Sequence, residues 1–103
     1  IKVAGTVPVA TESGAGVPAY TANSSGTAGI ITSSITSHTT VISTFAATMT
    51  NAPFCTISPA NTAAGAINGA AAGAFVTTTA TTMVINMAAD TTASAWSYHC
   101  FTN

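Results

Sequence analysis

"SAWSYHCF", residues 94–101, decides how the rest of the chain is read. Successive side chains of a strand point to opposite faces, so Trp96, Tyr98 and Cys100 share one side and Ala95, Ser97, His99 and Phe101 the other. The first face is strongly apolar and the second is mixed, with an aromatic ring at its end. A strand large on both faces belongs in the middle of a sheet or under another subunit. Trp96 and Tyr98 are therefore expected to fill a core beneath "FCTIS" (54–58) and "MVINM" (83–87) rather than to form an exposed binding platform.

Outward from that segment, short apolar alternations place strands near 29–36, 38–46, 54–58, 74–79 and 82–88, with "ADTTA" (89–93) as a hairpin joining 82–88 to 94–101. The opening "IKVAGTVPVA" is extended, and Pro8 makes it an edge strand or an arm. No long helix emerges. Thr62 is a cap for a short helical turn, and Gly65, Gly69 and Gly73, spaced by four, fit a closely packed loop better than a helix. These elements predict an all-β fold, an antiparallel β-sandwich or β-prism of about six to eight short strands. Its expected core is Phe45, Phe54, Cys55, Ile57, Phe75, Val84, Trp96, Tyr98 and Cys100. Residues 30–103 form this domain. Residues 1–29 read as an arm continuing from a larger body, in keeping with a chain that begins on Ile1.

Ala, Thr, Ser and Gly supply 61 of the 103 residues, while Leu, Arg and Gln are absent. A domain this small and this poor in large apolar residues has a modest core, and burial against copies of itself is an evident further source of stability. Lys2, Glu12 and Asp90 are the only formally charged side chains. One lysine cannot neutralise a phosphate backbone, which argues against a nucleic-acid partner. Disorder is disfavoured too, because β-branched residues are plentiful, charge is scarce and mean hydropathy is positive. The longest weakly polar run, 63–76, is too short to cross a bilayer, so membrane insertion is not expected.

The inventory of chemistry is thin. A glycosidase needs two carboxylates, and Glu12 and Asp90 are the only pair, expected as solvated acids in a Gly/Ser loop and a turn. A Ser-His-Asp set could draw on Asp90 with His38 or His99, but nothing resembles a nucleophile elbow. His99 and Cys100 point to opposite faces of their strand and cannot share an ion. No catalytic, cofactor-binding or metal-ligating residue is therefore assigned, and no cofactor is expected. Two readings remain open for Cys55 and Cys100: a disulfide closing a loop of about 45 residues, or two buried free thiols. The low cysteine content favours the thiols. The sequon Asn23-Ser24-Ser25 carries no functional weight.

Residues 52–101 resemble the C-terminal β-domain of bacteriophage tailspikes and tail fibres. The likeness lies in Pro53-Phe54-Cys55-Thr56-Ile57-Ser58-Pro59-Ala60-Asn61, the Thr-rich "VTTTATT" (76–82), and the closing Trp96, Tyr98 and Cys100 at alternate positions. The resemblance implies a homotrimeric, non-catalytic β-tip on a virion tail, assembled in the host cytoplasm. It also implies contact with bacterial surface polysaccharide through glycan-contacting residues that the sequence does not identify. A stand-alone carbohydrate- or surface-binding adhesin is the alternative, and a polysaccharide-degrading domain is a weaker one. Residues 1–29 have no counterpart in the resemblance.

Overall fold

The computed structural model describes residues 9–22, 24–25, 27–46, 48–70 and 73–101. Eight strands and one helix follow one another: β1 (Val9–Glu12), β2 (Ala19–Tyr20), β3 (Ala28–Thr32), β4 (His38–Thr44), β5 (Phe54–Pro59), α1 (Thr62–Gly69), β6 (Ala74–Thr78), β7 (Thr82–Asp90) and β8 (Ala95–Phe101). They form two four-stranded antiparallel sheets, ordered β1-β4-β7-β6 and β2-β3-β8-β5. This is a sandwich, not a prism. Residues 9–29, expected as an arm, supply one edge strand to each sheet and the start of β3. The reading of "IKVAGTVPVA" falls largely on residues outside the described ones.

Alternation fixes the inner faces. Val41 of β4 faces Ile85 of β7, and Ile31 of β3 faces Trp96 of β8. With Phe45, Met83, Met87, Tyr98 and Cys100 these side chains form one buried cluster, and Trp96 has no exposure at all. Tyr20 crosses the core from the second sheet and donates its hydroxyl to Ser43 of the first at 2.7 Å. Tyr98 donates to the carbonyl of Ser25, whose turn folds over the inner face of β3. Gly29 makes that turn possible. A Cβ there would run into the side chain of Ser24 and stand 2.9 Å from its Cα.

Three expected core residues lie elsewhere. Phe54 and Phe75 are 58% and 59% exposed, and Val84 is half-buried on the outer side of β7. Each sits one position out of phase with an inward neighbour, Cys55, Val76 and Ile85 respectively. Phe45, Trp96, Tyr98 and Cys100 are buried, while Cys55 and Ile57 are half-buried against the core.

Two local expectations also change. β7 and β8 belong to different sheets, so residues 91–94 form a crossover and not a hairpin. The hairpin is β6–β7, whose turn is tied by Thr79 Oγ1 accepting from the backbone N–H of Thr81 and Thr82. Gly65 and Gly69 lie within α1, and a Cβ on either would meet open space. No close packing requires them. The helix is capped by Asn61 and not Thr62: Asn61 Oδ1 accepts from Ala64 N at 2.9 Å and from Ala95 N at 3.1 Å, while its Nδ2 donates to Ala93 O. One amide thus fastens α1 to the β7–β8 crossover.

Candidate functional site

Both carboxylates of the chain meet one of its two histidines at the end of the sandwich where β1 and β7 finish and β4 begins. β1 pairs Glu12 with inward-facing Val41, which turns its carboxylate into the protein. The β4–β7 register slips between His38 and Thr40, where β7 carries extra residues. Met83, Ile85 and Met87 point inward, then Ala88 and Ala89 are exposed, and Asp90 is buried. The bulge moves the phase by one residue and aims Asp90 at His38. The acids expected in solvent are therefore interior.

His38 Nδ1 stands 2.6 Å from Thr36 O, and a carbonyl only accepts, so this nitrogen carries a hydrogen. The same nitrogen lies 3.6 Å from Glu12 Oε1. On the other side of the ring Nε2 is 3.1 Å from Asp90 Oδ2, an ion-pair distance, without completing a hydrogen bond. A protonated imidazole would thus pair with both acids. Glu12 accepts from Ser34 N at 3.2 Å and from Ser34 Oγ. Room for this contact comes from Gly16, whose Cβ would collide with both side chains. Asp90 accepts from Thr92 N at 3.0 Å, Thr92 Oγ1 at 2.5 Å and Ser94 Oγ at 3.3 Å. Ser94 Oγ in turn accepts from Trp96 Nε1 at 3.1 Å. A polar chain therefore runs from Trp96 in one sheet through Ser94, Asp90 and His38 to Glu12 in the other.

This arrangement clamps; it does not present a reacting group. The ring of His38 has no exposure, and both of its nitrogens face protein groups. Nearby hydroxyls are spent on carboxylates and backbone. Ser33 Oγ donates to Thr92 O at 3.0 Å and accepts from Ser94 N at 2.9 Å. His99, the other histidine considered for a triad, lies on the outer face of β8, opposite Thr56 and Ala28. The structure therefore joins Glu12, His38 and Asp90 and leaves His99 apart. Among the described residues, no group of His, Cys, Asp and Glu has a metal-holding arrangement.

The cysteines are joined, which corrects the preference for free thiols. Cys55 and Cys100 are direct partners across β5 and β8. The N–H of Cys100 is committed to Thr27 O on the opposite side of β8, so toward β5 the two residues form a non-hydrogen-bonded pair, where facing strands come closest. Cys100 Sγ also lies 3.7 Å from Met83 Sδ, tying the bridge into the core.

At the far end of the sandwich from the acid cluster, where β5 begins and β8 ends, the outer face carries aromatic rings. Phe54 and Phe101 pair across the strands with ring centroids 5.9 Å apart, and Phe101 lies 5.9 Å from His99. A groove of about 520 Å³ opens beside Phe101, bounded by Thr27, Thr48, Met49, Thr50, Asn51 and Pro53 and reaching Cys100. The phenolic groups are interior: burial, the larger effect, raises the pKa of Tyr20 against the lowering hydrogen bond of Ser43. Burial first, then the nearby Tyr20, raises that of Tyr98. No helix among the described residues is long and apolar enough to cross a membrane. No family model, curated protein or solved structure matches this chain.

Proposed function

We propose that this chain is a non-catalytic structural module that assembles as a homotrimer at the tip of a bacteriophage tailspike or tail fibre and faces host-surface polysaccharide. The observation that carries the proposal is the exterior. Glu12 and Asp90 are buried, so no exposed described residue is Asp, Glu, Lys or Arg, while Val9, Val17 and Ile35 are all more than half exposed. A small domain ordinarily keeps charge on its surface against association, and an exterior of hydroxyls and bare apolar groups suits one that is covered by its own copies.

Further support comes from the Pro53–Asn61 and Trp96–Cys100 motifs, which hold the disulfide, the α1 cap and the packed indole. Disulfides persist in oxidising surroundings. A virion protein assembled in the cytoplasm would close Cys55–Cys100 once the particle leaves the cell. The only two carboxylates are spent in the clamp around His38, which leaves no acid pair for polysaccharide cleavage. Light scattering on the oxidised chain tests the reading: a mass of three chains is expected, and a stable monomer overturns it.

A further inference from the structure

We propose that the outer face of the β5–β8 pair, at the end bearing Phe54, Phe101 and His99, is a binding site for an uncharged glycan. The proposal deepens the host-surface reading above by naming the site and its ligand class. Phe101 stands at the corner of the three rings, with His99 two residues before it on β8 and Phe54 directly across on β5, each centroid 5.9 Å away. Phe54 and Phe101 stand 58% and 50% exposed on the outer face of this strand pair. Pyranose rings present C–H faces that stack on exposed aromatic surfaces of this kind.

The groove beside Phe101 supplies the complementary polar chemistry. Thr27, Thr48, Thr50 and Asn51 border it, and hydroxyls and carboxamides both donate and accept, as sugar hydroxyls require. No hydrogen bond among the described residues engages the side chains of Thr48, Thr50 or Asn51. Charge selects the ligand class. The groove and the three rings include no Lys or Arg, so a uronate, sialate or phosphate would lose water without gaining a counter-charge. A neutral hydroxylated ring bears no such penalty.

The test uses the oxidised, assembled chain on an array of neutral and acidic oligosaccharides from bacterial capsules and O-chains, with hits followed by calorimetric titration. The expected hits are neutral glycans. Phe101→Ala should weaken them about tenfold, Phe101→Tyr should retain binding, and Phe75→Ala on the other sheet should leave it unchanged. The site is overturned if no neutral glycan binds, if acidic glycans are preferred, or if Phe101→Ala is without effect. It is equally overturned if Phe101→Ala dissociates the assembly, since the ring would then belong to a subunit interface. Mass measured on the same sample separates the two readings: a trimer that binds no glycan overturns only the site, and a monomer that binds neutral glycans overturns only the trimer.

Discussion

Opening the Cys55–Cys100 bridge releases a constraint spanning 45 residues of sequence, nearly half the chain. In the chain-entropy description a cross-link of that span removes about 4 kcal/mol of freedom from the unfolded state. A domain of this size has a total stability on the order of 5–15 kcal/mol, so the loss is a large share of the whole. It should lower the melting temperature by on the order of 20 °C. Reduction keeps both sulfurs in place, whereas Cys55→Ala with Cys100→Ala also removes the contact with Met83. Comparing the two separates the cross-link from packing. Urea unfolding at fixed protein concentration, followed by the fluorescence of the single buried Trp96, gives the free energies. The reduced chain should also unfold with a larger dependence on urea, because its denatured state expands further. A difference below about 1 kcal/mol between oxidised and reduced chains would refute the reasoning, since the entropic effect is set by loop length alone.

Three further outcomes are expected. His38→Ala leaves two buried carboxylates without their shared partner and should cost about 3–5 kcal/mol, while His99→Ala on the outer face should stay within about 0.5 kcal/mol; equal effects in chemical denaturation would remove the clamp from the account. Trp96→Ala should cost about 3–5 kcal/mol through the cavity it leaves and damage folding or assembly, seen by circular dichroism and mass, before glycan binding; a folded, assembled variant that has lost only binding would contradict this. Both tyrosines are raised above their ordinary value of 10.0, so above that pH the unfolded chain gives up protons the folded one keeps. Stability is then full below about pH 10 and falls as pH rises beyond it, and tyrosinate absorbance should appear only with unfolding; a phenol that ionises freely near pH 10 in the folded chain would refute the buried placement.

The strand pattern could be read from the sequence because the inward positions of β8 are so much larger than their neighbours. In β7 the same logic was available, since Asn86 shares a face with Val84 and argues that Met83, Ile85 and Met87 point inward. Phe54 and Cys55 are adjacent, and alternation forbids both from facing one core. The acid cluster was not legible, because it depends on a bulge that shifts Asp90 by one position and on a crossover where a hairpin was expected. Spacing along the chain says nothing of Glu12 and His38 meeting from strands paired only after folding. The disulfide has the same origin: Cys55 and Cys100 become neighbours through strand order, and low cysteine content argued the other way. Asn61 was overshadowed by Thr62 because either residue can cap a helix, and only the amide can also reach both sides of the β7–β8 crossover.

The bridge also divides the chain mechanically. Tension applied between β1 and the end of β8 would pass from Cys55 directly to Cys100, so the segment holding α1, β6 and β7 lies off the load path. About 150 Å of potential extension is thereby withheld. An oxidised domain under such tension can yield only in β1–β4 and their loops, whereas a reduced one could extend over its whole length. The position of the cross-link makes the C-terminal half a knot of fixed size under load.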